Sequence, residues 1–427
     1  MTAANRIMRL AGHTLLFWAS PFMVLLGLLF TIACGGSSSS STTPTPPTPA
    51  PTGSNVQAIT VNEGPAGNYA NGAFTSVTVC VPGTSTCQTI DGVLVDTGSS
   101  GLRLLSSALT ISLPQQDASD GNPVAECLPF VIGYTWGPVQ TADVEMAGET
   151  AKSTPIQVIN GSAFPLPSTS LCASNPGGPS DTLSTLGANG IVGVGNFPQD
   201  CGSACAAAPG NGSENPDLYY ECASSGCSAI AESLAQQVQN PVALFATDNN
   251  GVIIELPAAS TPEASLSGSL IFGIGTESNN GLNGATVYPV DPSGNLTGDF
   301  TTTFNNAVDD ESFIDSGSNG YFFSDSAIPA CSGSSSGDGF YCPSATLNLS
   351  ASNAGYNGTP SGTVSFSVAN ADDLFNDNPS AAVFGQLAGP NTIGGFDWGL
   401  PFFYGRNVYT AIAGASTPGG TGPYWAY

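Results

Sequence analysis

Two stretches of this 427-residue chain end an apolar run in the same way, with an aspartate, a hydroxyl residue, a glycine and a serine. They are Val93-Leu94-Val95-Asp96-Thr97-Gly98-Ser99-Ser100 and Phe313-Ile314-Asp315-Ser316-Gly317-Ser318. Taken alone, an Asp-Ser-Gly-Ser string is a solvated turn in which the acid bonds its own backbone. The apolar residues ahead of each acid argue for more, because a strand made of them carries the carboxyl inward at great cost unless donors await it. The motif supplies the donors. Glycine two places after the acid permits a tight turn that aims backbone N–H groups at the carboxylate, and Thr97, Ser99, Ser316 and Ser318 add hydroxyls. Two such loops, one per half of the chain, suggest a duplicated unit whose acids meet at a shared interface. Carboxyls in contact repel, hold one proton between them and can serve as acid and base on a water molecule.

Composition leaves little other chemistry open. The single histidine is His13, in a leader segment, so the mature chain has no imidazole. That excludes Ser-His-Asp and Cys-His hydrolases and His-ligated metal sites. No metal and no cofactor is expected. Only five bases stand against 31 acids, a formal charge of −26, and charged residues make up 8% of the chain. An average globular chain carries about 25%. Nothing here could neutralise a phosphate backbone, so nucleic acid is excluded as a partner.

Arg6 and Arg9 precede an apolar run from Leu15 to Ala33, followed by Cys34 and a Ser/Thr/Pro tract to about Asn55. This is the order of a secretory signal, residues 1–33, followed by a linker, residues 34–55. Thr31-Ile32-Ala33-Cys34 resembles the lipobox of bacterial lipoproteins, which implies lipidation at Cys34 and a membrane tether. Gly35 in place of Asp then implies sorting to the outer membrane of a Gram-negative cell. An uncleaved anchor and simple secretion are the alternatives, and each leaves the bulk of the chain outside the cytoplasm. The ten remaining cysteines are Cys80, Cys87, Cys127, Cys172, Cys201, Cys205, Cys222, Cys227, Cys331 and Cys342. An even count in an exported chain reads as up to five disulfides. The pairs 80/87, 201/205, 222/227 and 331/342 are close enough to close short loops, but spacing leaves the connectivity open.

Residues 56–427 exceed a typical single domain and predict two units, 56–240 and 241–427. The pattern is mostly β. Apolar stretches at 74–81, 93–95, 252–256, 270–274 and 363–368 lie between Gly, Pro, Asn and Ser clusters. Ile230, Leu234 and Val238 recur every four residues and predict one helix ending at Asn240-Pro241. Residues 201–227 read as a stapled loop insertion. Lys152 reads as solvated, Arg103 and Arg406 as satisfying buried carbonyls or acids, and Asp397 is assigned no role.

These motifs together resemble the pepsin-like aspartic proteases. Asp96 to Leu104 is similar to the first active-site loop and its continuation, and Asp315 to Ser318 to the second. Gly133-Tyr134-Thr135-Trp136-Gly137 with Asp143 to Gly148 resembles the flap hairpin, Asn189 to Gly195 the strand that threads a lobe's loop, and Gly399 to Tyr409 the closing segment. The elements follow the family's order along most of residues 70–412. The resemblance implies a mainly β, bilobal pepsin-like fold of two six-stranded-barrel-like lobes, with few short helices and a cleft between them. It further implies a monomeric endopeptidase with Asp96 and Asp315 as the catalytic pair and a peptide or protein substrate in the cleft. Thr97 and Ser316 would lock the loops together, Gly98 and Gly317 form the turns, and Ser99 and Ser318 hold the outer carboxylate oxygens. Tyr134 would close over the substrate, with Trp136 and Gly137 beside it; Trp136 either faces substrate or packs against the body. The rival reading is a non-catalytic module of the same fold that binds peptide, cell-wall material or a partner protein.

Overall fold

The computed structural model describes residues 52–210, 214–291, 298–391 and 394–427. The expected signal, the lipidation site at Cys34 and nearly all of the linker lie outside the described residues.

The first half contributes β1 (Val56–Asn62), β2 (Gly72–Cys80), β3 (Cys87–Asp96), β4 (Ser100–Leu105), β5 (Val124–Phe130), β6 (Gly133–Met146), β7 (Glu149–Ile159), β8 (Gly190–Val194), β9 (Tyr219–Ala223) and β10 (Gly226–Ala229). Six of them hydrogen-bond in the order β6-β7-β4-β8-β3-β2, and β2 returns to pair with β6. The ring is therefore closed, which removes exposed edges. Val77, Val95, Leu102, Leu104, Val144, Ile156 and Val192 belong to its apolar core.

The second half contributes β11 (Gly251–Leu256), β12 (Leu266–Phe272), β13 (Val287–Pro289), β14 (Phe300–Phe304), β15 (Ala307–Ile314), β16 (Tyr321–Phe323), β17 (Leu347–Ala354), β18 (Ser361–Val368), β19 (Ala388–Pro390), β20 (Asp397–Trp398), β21 (Arg406–Ala411), β22 (Ser416–Thr417), β23 (Gly420–Thr421) and β24 (Tyr424–Ala426). Seven form one sheet in the order β18-β17-β14-β15-β20-β16-β19. This lobe therefore carries seven strands in its sheet, one more than expected. Its interior is aromatic: Phe323, Phe396 and Trp398 stack in series, with Phe304 and Phe366 edge-on to Phe323. An antiparallel layer, β1-β12-β11-β21-β24-β13, joins the lobes. The molecule is bilobal and mainly β, and its helices are short, the longest described being Ala371–Asp377.

The two acid-bearing strands share one local topology. β8 lies parallel to β3 and antiparallel to β4, and β20 lies parallel to β15 and antiparallel to β16. In each lobe, then, one strand threads the loop that follows an aspartate. The predicted strands appear with modest extensions at their ends.

The helix expected at residues 230–238 does not form. The Ser233 carbonyl accepts from the Gln236 and Gln237 amides to make a single turn. The Gln237 side chain then bonds the backbone of Gly202 and Glu232, and the Val238 amide donates to the Tyr219 hydroxyl. Helix preference in so short a segment is weak, and these tertiary bonds override it. The loop insertion is more ordered than expected, since β9 and β10 form a hairpin that pairs with β5 and widens the β5–β6 hairpin to four strands. All ten cysteines pair, in the four short loops plus Cys127–Cys172.

Arg103 is fully buried on β4. Its Nη2 meets Glu126 Oε1 at 2.7 Å and Asp200 Oδ2 at 2.8 Å, and its Nη1 donates to the Ser100 carbonyl. Tyr219 donates to the other Asp200 oxygen. Burial, followed by the Glu126 charge, raises the Asp200 carboxyl well above the ordinary range. Two acids and one cation thus sit together out of water, and removing the cation exposes the cost of the rest. Arg103→Leu is expected to lose about 3–5 kcal/mol in urea unfolding at neutral pH. The loss should shrink as pH falls through the raised Asp200 range, where protonation removes one of the buried negative charges.

Candidate active site

Asp96 is the last residue of β3, and Asp315 follows directly on β15. Side chains alternate along a strand, so Asp96 shares a face with Leu94 while Val93 and Val95 turn into the core. Immediately beyond each acid the chain folds back on the carboxyl. Gly98 N donates to Asp96 Oδ1 at 2.8 Å and Ser99 Oγ donates to Asp96 Oδ2. In the other loop Gly317 N donates to Asp315 Oδ1 at 2.7 Å and Ser318 Oγ to Asp315 Oδ2 at 3.0 Å. The two loops repeat one hydrogen-bond pattern atom for atom.

The residues between acid and glycine join the loops to each other. Thr97 N donates to Ser316 Oγ at 3.1 Å, and Ser316 N donates to Thr97 Oγ1 at 2.9 Å. Each hydroxyl then donates across the interface, Thr97 Oγ1 to the Ile314 carbonyl and Ser316 Oγ to the Val95 carbonyl. Thr97 and Ser316 are almost wholly buried, so these four bonds satisfy groups that water cannot reach. A hydroxyl is required at both positions because only a group that accepts and donates at once completes the lattice.

The lattice brings the carboxyls together across 219 positions of sequence. A Cβ added to Gly98 would lie 2.5 Å from Asp315 Cγ, and one on Gly317 would lie 2.8 Å from Asp96 Oδ1. Each glycine is thus the space into which the opposite acid fits. Burial first, then the Asp96 charge and that of Asp397, raise the Asp315 carboxyl well above the ordinary range, and the Gly317 N–H opposes them. A carboxyl raised in this way stays protonated in the fold after it would ionise in the unfolded chain. Its contribution to stability is therefore greatest at low pH and falls as pH rises toward the raised value. Asp96 is 6% exposed, whereas Asp315 keeps an open edge, so a water molecule can reach the pair.

Burial, then the charges of Asp315 and Asp96, push the Tyr69 phenol up. Its ring packs edge-on against Phe74 and over Gly187. Leu94, Phe74, Ile191 and Ala188 form an apolar wall there, with Tyr69, Phe130 and Leu186 against it. Tyr134, expected over the substrate, sits where β6 meets the 178–180 loop: its amide donates to Gly178 O, and its carbonyl accepts from Ser180 N. The charge acting on its phenol is that of Asp181. Trp136, which sequence left between two placements, is 2% exposed, donates its Nε1 to the Phe164 carbonyl and packs edge-on to Tyr220. It packs against the body, because an indole with its N–H satisfied gains by leaving water. Gly137 is buried too, where a Cβ would lie 2.1 Å from the Val158 carbonyl, so it serves strand packing.

Sequence reasoning missed two residues at this site. Tyr69 carried no signal, although Asn71, two positions on, anchors its loop. Asn71 Nδ2 donates to the carbonyls of Asn319 and Phe384, and its Oδ1 accepts from Phe384 N and the Tyr404 hydroxyl. Asp397 did carry one, as an acid inside the otherwise apolar Phe396-Asp397-Trp398 strand.

A family profile described as "Protein of unknown function (DUF3443)" matches residues 51–427. No curated protein matches the chain. Among solved structures, the crystal structure of aspartic proteinase from Irpex lacteus aligns with a TM-score of 0.49 at 14% identity, covering 87% of this chain and 96% of that one.

Thr97→Val leaves the Ser316 amide buried without its acceptor and is expected to cost about 1–3 kcal/mol. Ser316→Ala should cost a similar amount, and the double variant less than the two together, because both bonds belong to one lattice. Chemical unfolding of the three variants measures this. Strict additivity would mean that the loops do not depend on each other.

Proposed function

The chain belongs to the DUF3443 family, and we propose that it is an aspartic-type endopeptidase that hydrolyses peptide bonds with water activated by Asp96 and Asp315. The observation that carries this reading is the contact between two carboxyls held by equivalent donor sets where the two loops meet. Such a pair holds one proton and titrates as a unit. The ionised member takes a proton from the bound water while the protonated member hydrogen-bonds the scissile carbonyl and stabilises the charge that develops on its oxygen. Attack gives a tetrahedral diol, and proton return to the amide nitrogen releases the two peptides. No covalent enzyme intermediate is needed, which suits a mature chain without histidine. The backbone and hydroxyl donors are in place before substrate arrives, so little reorganisation is required.

The substrate class follows from the groove. An extended peptide fits a cleft between two β lobes, and the wall of Leu94, Ile191 and Phe74 offers an apolar side chain a place beside the dyad. The tether is part of the same proposal: export by residues 1–33, lipidation at Cys34, and residence on the outer membrane of a Gram-negative cell. Five disulfides are consistent with an oxidising compartment outside the cytoplasm.

The test uses the exported chain and a denatured protein substrate under acid conditions, with fragments read by mass spectrometry. Cleavage is expected to fall by at least about a hundredfold in Asp96→Asn and in Asp315→Asn, while both variants stay folded. Cleavage unaffected by either change, or no cleavage by the parent chain, would overturn the reading. The second result would leave a groove that binds without cutting.

A further inference from the structure

The β5–β6 hairpin ends on residues unsuited to a turn. Phe130 pairs with Gly133, which leaves Val131 and Ile132 as the two central positions, where glycine, asparagine or aspartate ordinarily stands. Both are exposed, at 46% and 54%. Phe130, one position before them, packs with Tyr69 and Leu186 against the cluster of Phe74, Leu94, Ala188 and Ile191. Leu94 lies two places before Asp96 and shares its face of β3. The hairpin therefore ends against the apolar wall next to the dyad.

What holds the turn lies outside it. Asn175 is 8% exposed, and its Nδ2 donates to the Phe130 carbonyl at 3.2 Å and to the Gly133 carbonyl at 2.9 Å, one on each side of the turn. Its Oδ1 accepts from Gly177 N at 2.9 Å, so both ends of the amide are used. The same segment continues along the start of β6, where Tyr134 N donates to the Gly178 carbonyl and Ser180 N to the Tyr134 carbonyl. It comes too close for intervening side chains: a Cβ on Gly177 would lie 2.2 Å from the Ile132 carbonyl, and one on Gly133 2.6 Å from Ser180 Oγ. Cys127–Cys172 ties the segment to β5, and Leu186 and Ala188 carry it into the wall. On the opposite flank β9 pairs with β5. Swinging the hairpin end away would break the two bonds from Asn175 and the two made by the Tyr134 backbone together, and groups left unpaired out of water are costly.

We infer, on the basis of the endopeptidase reading, that Asn175 is a positioning residue that fixes the end of the β5–β6 hairpin against the wall beside Asp96, so that the groove is preformed and does not open and close with each turnover. Many active sites are covered by loops that move to admit substrate. This boundary is stapled at its tip and on both flanks. A groove that cannot widen admits a chain that is already extended and refuses one still folded into a loop or a domain. The substrate class is therefore linear peptide and unfolded protein, with an apolar side chain placed against Phe130, Leu94 and Ile191. No ordering of the hairpin accompanies binding, which lowers KM for chains that fit. The same support explains how β-branched residues are tolerated at 131 and 132, since Asn175 and not the turn's own side chains sets the geometry.

The test compares the exported chain with Asn175→Ala and with Asn175→Asp, which keeps an acceptor for Gly177 N but lacks the amide donor group. Each is given one linear peptide and the same sequence closed into a disulfide ring, and kcat and KM are recorded. The parent is expected to favour the linear form at least about tenfold in kcat/KM. Both variants should raise KM on the linear peptide about fivefold with kcat within about twofold, and should narrow the preference over the ring. A merely structural loss would lower the amount of active enzyme, and so kcat, without moving KM or the preference. Unchanged KM and preference in the variants overturn the role of Asn175. Equal cleavage of ring and linear forms by the parent, with Asp96-dependent cleavage intact, overturns the fixed groove and leaves the endopeptidase reading standing. Hydrogen exchange covers the case in which the parent cleaves nothing and that reading fails. Amides of residues 134–136 should exchange as slowly as those in the rest of β6, and Asn175→Ala should speed them at least about tenfold while β17 and β18 stay unchanged. Exchange of these amides in the parent at the rate of an exposed loop overturns the inference whatever the activity.

Discussion

The structure is organised around one costly contact, that of two carboxyl groups pressed together across the interface of two lobes. Water would separate them, and a low-dielectric interior would forbid both from ionising. The protein meets the cost with donors, a backbone N–H and a hydroxyl on each acid. Everything around the pair serves to hold those donors still. The glycines at 98 and 317 are part of this, since each marks the place where the opposite carboxyl fills the volume of an absent side chain.

Holding the donors still requires that the loops not slide, and the Thr97–Ser316 lattice prevents it. Its four bonds are made between residues that lie in different lobes, so the geometry of the acids depends on both lobes being folded. Threading by β8 and β20 extends the same logic. A strand parallel to the acid-bearing strand and antiparallel to the next one braces the loop on both sides, and the pattern recurs because the lobes are built on one plan.

The lobes then diverge where they need not match. The first closes a six-stranded ring, and its outlying hairpin is widened by β9 and β10 and fastened by Cys127–Cys172 and Cys222–Cys227. The second fills its interior with stacked aromatic rings. The buried Arg103 cluster ties β4 to β5 and to the segment carrying Asp200 at the base of the hairpin, where an apolar side chain would have packed without recording which strand it faced. These differences leave the two acids with matching first contacts and unlike surroundings, apolar beside Asp96 and acidic beside Asp315.

Much of this was legible from residue types alone. An apolar run followed by Asp, hydroxyl, Gly and Ser states its own local structure, because both the burial and the donors are encoded within eight residues. The same locality made the β-rich class readable, and it put four cysteine pairs within reach of short loops while leaving their connectivity open. The helix at 230–238 was misread since its hydrophobic spacing is local, while the bonds that override it reach Gly202 and Tyr219. Trp136 sat in a flap-like string, but its burial depends on Tyr220 and Phe164, which no local pattern announces. The pairing of Cys127 with Cys172, the place of Tyr69 and the company kept by Asp397 were decided only by tertiary structure. Sequence determines which groups a segment can offer, and where their partners are distant, folding alone decides which groups meet.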